Sequence, residues 1–402
     1  MALDSQLTHS KMRIRIAVLS FFLAQGLCFA SWASRLPDIK NHFSADNFIY
    51  FGLLMFLIPV GKFIAIPLVG FLLPRIGSKK TVLISILGFT LSLFIVGVIT
   101  NIYILGVVLL LFGTFWNMTD ISLNTQAIEV ERIYGKNIIA TFHAGWSLAA
   151  CVGAVIGYAM INLKIDTLAH FSAIAVIASV MILVNYKCLQ EHKGENKAKE
   201  VEPQGLKTLK KAKLPEAILI SLGFVWLLAL IVENTMFEWS DVYFQSVIKA
   251  PESLQIGFLV FMIMMFSGRL LTNAAYRIWK KKTVLQIAGG LIFVGFVISS
   301  LFINLSDTVL IKVIINSSGF MLIGLGISCI VPTIYSIVGE KAKTPVGLAL
   351  TIMSSISFVG PLVAPLLVGY ISQHIGMEVA YLVIGLFGAC IVGIATFNKA
   401  LK

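Results

Sequence analysis

Twelve stretches of this chain run for about 20 residues or more with almost no charge, and they constrain the fold more than any other feature. The hydrocarbon core of a bilayer is about 30 Å thick and takes about 20 apolar helical residues to cross. No water reaches the backbone amides there, so each run must satisfy them internally as an α-helix. The runs lie at roughly 14–34, 47–73, 79–100, 102–128, 137–161, 166–187, 215–240, 253–276, 282–304, 307–338, 345–372 and 375–398. The chain is therefore expected to be all-α, a polytopic membrane protein of 12 transmembrane helices. Composition agrees: 12% of residues are charged, against about 25% in soluble domains. Lys11-Met-Arg13-Ile-Arg15, an apolar run and Ser31-Trp-Ala33 also fit a signal peptide. Eleven similar segments follow, so a retained first helix is expected.

The basic residues fix a topology. With the amino terminus inside, only Arg35, Lys40, Lys164 and Lys249 of the 31 Lys and Arg fall on outer segments, and Lys62, Arg269 and Lys312 lie within helices. Inner loops collect the rest, as the positive-inside rule requires, so both termini are expected to be cytoplasmic. The net charge of +12 sits in short clusters between apolar runs, which suits a lipid bilayer rather than nucleic acid. Five scattered cysteines form no CxxC pair, so neither a disulfide framework nor a metal site is expected.

The longest polar interval, 188–214, separates six helices from six. Domains are expected at 1–187 and 215–402, with 188–214 a solvated linker. RIGSKKTVL (75–83) and RIWKKKTVL (277–285) share seven of nine letters. Each lies between the second and third helix of its own half. The halves therefore read as two pseudo-symmetric six-helix bundles, copies of one ancestral unit.

This pattern, with its long basic central loop, resembles the major facilitator superfamily over the whole chain. That family's loop motif runs Gly, three residues, Asp, Arg, one residue, Gly, then two Arg or Lys. Here Gly70, Arg75, Gly77, Lys79 and Lys80 match, while Pro74 replaces the acid, which puts the family's cytoplasmic charge gate in doubt. The cations could instead pair with Glu129, Glu131 or, in the second half, Glu340. Drug exporters of the family carry an Arg four residues before a fourth-helix glycine; here Leu109 precedes Gly113. Their fifth-helix Gly-Pro pair is missing too, and Gly360-Pro361 occurs in the eleventh helix instead. The stretch Asn117 to Trp146 is more similar to the fucose-permease-like branch of bacterial solute importers. The resemblance implies a monomeric transporter of the bacterial inner membrane, without cofactors, moving a small-molecule substrate by alternating access.

Charge at mid-bilayer costs about 2.5–3.5 kcal/mol on insertion scales, so it usually faces a cavity or a partner. Asn117, Asp120, Asn124 and Glu131 share one face of the fourth helix, and Gly113 extends it. The face is read either as cavity lining or as interhelix hydrogen bonding. Withdrawal from water favours the neutral form of any carboxyl, so Asp120 is the first proton-coupling candidate. His143 and Trp146 open the fifth helix; His143 is placed to partner Asp120 or a substrate, or to pack against a carbonyl. Glu233 is the second coupling candidate. Gln25, Asn234, Trp239 and Asn316 complete the substrate-binding candidates. Arg35 with Glu238 or Asp241 is read as an outer gate, or as solvated loop charges. Arg75 and Glu131 are the inner-gate candidates.

No phosphate-binding loop, HExxH or Gly-x-Ser-x-Gly motif occurs, so an enzyme is not expected. The expected function is secondary active transport of a small polar, sugar-like solute, coupled to protons by symport, with sodium the alternative ion. Proton-antiport efflux and a non-transporting membrane receptor or scaffold are the rivals.

Overall fold

The structure, a computed structural model, describes residues 2–135, 138–191, 216–344 and 346–398. Most of the 188–214 linker, together with Lys136, Lys399 and Lys402, lies outside the described residues. The helices are α1 (Ala2–Ser34), α2 (Leu36–His42), α3 (Phe48–Val98), α4 (Ile102–Tyr134), α5 (Ile139–Asn162), α6 (Thr167–Tyr186), α7 (Ala217–Ser246), α8 (Gly257–Ile278), α9 (Lys281–Leu301), α10 (Val309–Lys341), α11 (Val346–Ser357), α12 (Val359–His374) and α13 (Met377–Phe397).

Eleven helical stretches among the described residues are long and apolar enough to cross a membrane. One of them, α3, has 51 residues and is interrupted at Gly77 (φ 78°, ψ 163°). At about 1.5 Å per residue it is more than twice a bilayer core in length. Gly77 thus divides two crossings and brings the total to twelve. Only glycine takes that φ cheaply, having no Cβ to clash. Near the other end of the chain, α11 and α12 form one span, Leu348–His374, broken at Phe358 before Gly360-Pro361.

Helix ends follow local chemistry. The Asn101 side chain accepts from the amides of Tyr103 (2.9 Å) and Ile104 (3.3 Å) and starts α4. Asp166 accepts from Ala169 at 2.7 Å and starts α6, and Gly135, at φ 63°, ends α4. Such side chains replace bonds that a helix terminus cannot make internally. At their C-terminal ends, two helices overrun their apolar cores by six residues. Helix α4 continues to Tyr134 rather than 128, and α7 to Ser246 rather than 240. Polar residues suit a helix that projects past the hydrocarbon, so hydropathy marks the core and not the end.

The chain forms two compact units. Met1–Phe43 and Leu57–Glu202 make one; Ser44–Phe56 and Pro203–Lys402 make the other. In the first, α3 and α4 cross closely. A Cβ on Gly61 would fall on the Leu110 carbonyl oxygen, and one on Gly113 on the Ile58 carbonyl oxygen. Small residues permit such backbone contact in lipid, where packing rather than the hydrophobic effect drives association. Gly113 therefore admits a neighbouring helix. In the second unit, Gly289 and Gly388 join α9 to α13 in the same way. The first turns of α3 also pack there: Phe48 and Phe51 flank Trp239 at 6.2 and 5.1 Å between ring centroids, and the Phe48 amide donates to Gln373 Oε1 at 2.8 Å.

Candidate functional site

The first unit gathers polar groups from four helices. Gln25 of α1 donates through Nε2 to Asp120 Oδ1 at 2.7 Å, and the same nitrogen lies 3.5 Å from the Trp116 carbonyl. Lys62 of α3 places its ammonium 3.4 Å from the centroid of the Trp116 ring, a cation–π contact. Its charge also acts on Asp120. Asn117 donates to the Lys62 carbonyl at 2.7 Å. Asn124 donates to the Asp120 carbonyl at 2.8 Å, and its Oδ1 lies 3.1 Å from His143 Nε2. Phe29 sits against Trp116 and Trp146, with ring centroids 4.9 and 5.5 Å away.

The spacing 117, 120, 124 on one helix makes this possible, because steps of three and four stack side chains on one face. Asp120 and Lys62 are half-buried, whereas Gln25 is fully buried. Its Oε1 has no hydrogen-bond partner among the described residues. A carboxylate, an ammonium group, amides and indole faces together offer both hydrogen bonds and ring stacking. The sequence placed Lys62 only within a helix and did not single out Trp116. A tryptophan four residues before an intramembrane aspartate was the available signal.

Other candidates fall elsewhere. Arg35 is buried within the first unit, donating to Asp38 (2.6 Å), the Ile165 carbonyl (2.6 Å) and His170 Nδ1 (3.2 Å). His170, unnoticed in the sequence, is thus part of a knot at the end of α1. Arg75 turns back on its own helix, donating to the Phe71 carbonyl at 3.0 Å with its guanidinium over the Phe71 ring. Glu131 accepts from the amides of Ile138 (2.9 Å) and Ile139 (3.1 Å), so it caps α5.

In the second unit Glu233 pairs with Arg269 at 3.6 Å. Arg269 is a half-buried residue of α8, placed by the sequence only within a helix. Asn234 donates to the Leu230 carbonyl at 2.8 Å. Glu238 and Asp241 are 8% and 6% exposed, so neither is a solvated loop charge. Asp241 accepts from the Phe258 amide at 2.9 Å and holds the start of α8. Trp239 and Asn316 are fully buried. Trp239 is wedged between Phe48 and Phe51, and Asn316 donates to the Lys312 carbonyl at 2.9 Å. Neither offers an open face to a solute in this structure.

The family model described as Major Facilitator Superfamily matches residues 17–346. The chain belongs to the Major Facilitator Superfamily. It is 27% identical over 383 residues to an uncharacterized transporter, y4wD, of Sinorhizobium fredii, an alignment covering 95% of this chain and 97% of the relative. An uncharacterized MFS-type transporter of Yersinia pestis is 27% identical over 364 residues, 90% of each chain. Membrane protein MosC of Rhizobium meliloti is 24% identical over 388 residues, 95% of this chain and 90% of that one. In fold, the chain matches a point mutant of the nucleoside transporter NupG with a TM-score of 0.74 at 14% identity, covering 98% and 100% of the two chains. This superfamily member is a multi-pass membrane transporter.

Proposed function

We propose that the protein takes up a small polar solute by proton-coupled symport across the bacterial inner membrane, with both termini cytoplasmic. The observation that carries this reading is the Asp120 cluster: a carboxylate inside an apolar span, bonded to Gln25 at 2.7 Å and under the charge of Lys62. An ionisable group kept in a membrane helix at such cost marks an ion or substrate path. Protonating Asp120 would change the charge balance with Lys62, and that is the elementary step a proton-driven carrier needs. Trp116 and Trp146, both half-buried and packed against Phe29, supply flat faces, which suits a sugar-like ring or a nucleoside, the solute named for the fold neighbour. Residues 1–187 and 215–402 would act as two six-helix bundles exposing the site alternately. Arg35 with Glu238 or Asp241, and Arg75 with Glu131, remain our outer- and inner-gate assignments; they would exchange their present partners during that motion.

The test uses the purified protein in proteoliposomes with a pH-sensitive dye inside and a panel of sugars, nucleosides and organic acids outside. Symport predicts internal acidification on adding the transported solute. Internal alkalinisation instead would reverse the reading to antiport efflux, and no flux across the whole panel would end it.

A further inference from the structure

Helices α8, α9 and α10 all end at one membrane face of the second unit, at Ile278, Lys281 and Lys341. Between them lies a cavity of about 560 Å³. Lys280, Lys281, Lys282 and Lys341 line it, against a single carboxylate, Glu340. Glu340 pairs with Lys281, and Lys282 donates to the Thr396 carbonyl at 3.1 Å. Four positive charges against one negative leave the wall strongly cationic. The first turn of α9 adds to this. Lys280 caps it without a side-chain hydrogen bond, and the amides of residues 281–283 precede the first helical bond, from Val284 to the Lys280 carbonyl. Amides at a helix start favour an anion. Trp279 on the same wall is 45% exposed, and indoles settle at the level of lipid headgroups.

We propose that this cavity binds the phosphate of an anionic phospholipid headgroup. Three membrane spans end at the cavity, which places a lipid phosphate at its mouth, and the chemistry of the wall is that of a phosphate site. Basic pockets between helices at a membrane face recognise such headgroups. A soluble phosphate ester shares the chemistry and is separated by experiment.

The full-length protein in neutral detergent would be titrated with phosphatidylglycerol, phosphatidylcholine and glycerol phosphate, with bound species counted by native mass spectrometry. Phosphatidylglycerol should bind about tenfold more tightly than phosphatidylcholine. The variant K280Q/K341Q should bring that ratio close to one. E340Q, which removes the opposing charge, should raise it. K80Q/K249Q removes two exposed charges elsewhere and should leave it unchanged. Equal binding of the two lipids would overturn the proposal, and so would a ratio kept in K280Q/K341Q or unmoved by E340Q. Displacement by glycerol phosphate at lipid-like concentration would assign the cavity to a soluble ester and overturn the lipid assignment.

Discussion

Asp120 and Glu233 are both carboxylates inside apolar helices, one in each unit, yet their surroundings differ. Asp120 shares a cluster: an amide donor at 2.7 Å, the charge of Lys62, and an indole that also holds the lysine. Glu233 lies 3.6 Å from the Arg269 guanidinium, an opposite charge on the neighbouring helix. A charge divided among several partners can change its state without stranding any one of them. An ion pair between two opposite charges resists such a change, because loss of either leaves the other uncompensated. Of the two coupling candidates, we propose Asp120 as the proton-exchange site and Glu233 as a tie between α7 and α8.

The largest expected effect tests that contrast. D120N should abolish uphill solute accumulation in proteoliposomes, at least tenfold, while exchange of labelled solute partly persists; E233Q should retain accumulation. Equal loss in both variants would erase the distinction. Next, R269A should lower the stability of the second unit by about 1–3 kcal/mol, the lower range reflecting its partial exposure. R269A/E233Q should recover most of that, read from thermal midpoints in detergent. Failure of the double variant to recover would mean the pair is not the tie described.

The nine-residue repeats show the same divergence. In the first copy Lys79 pairs with Glu191 at 3.8 Å and donates to the Lys187 carbonyl at 3.3 Å. Gln126 donates to Ser78 Oγ at 2.7 Å and bonds the Gln190 backbone through both its amide atoms. The motif thus staples the start of the linker. In the second copy Lys281 holds Glu340, while Lys282 and Gln286 hold Thr396 at the end of α13. Gln126 is fully buried and Gln286 half-buried. Q126A should therefore cost about 1–3 kcal/mol by stranding buried partners, and Q286A about 1 kcal/mol or less. Reversal of that order in denaturation series would break the comparison.

The smallest effect concerns Glu216, outside the spans. It accepts from the Thr344 hydroxyl and amide at 2.7 Å each and from the Lys343 amide at 3.3 Å. The Thr344 hydroxyl, first among these bonds, holds its carboxyl below the usual value of 4.5. A depressed acid stabilises the fold above its unfolded pKa and loses that contribution as pH falls through its folded value. Protection of the Lys343 and Thr344 amides, relative to the exchange rate of an unfolded chain at the same pH, should therefore fall as pH drops below the usual glutamate value of 4.5. E216Q should exchange faster at neutral pH and show no such step; a step that survives in E216Q would remove Glu216 as its cause.

Hydropathy alone determined the membrane class and the number of crossings, because hydrocarbon imposes one length on every run and one backbone solution. The repeat and the loop motif pointed to the family for the same reason: both are local in the chain. The helical step also placed Asn117, Asp120 and Asn124 on one face. What they meet there was decided only by the fold. Trp116 with Lys62, His170 with Arg35, and Arg269 with Glu233 join residues 36 to 135 positions apart, and no period in a sequence encodes a partner on another helix. Burial likewise depends on neighbours, so Trp239 and Asn316 read as lining residues until packing enclosed them.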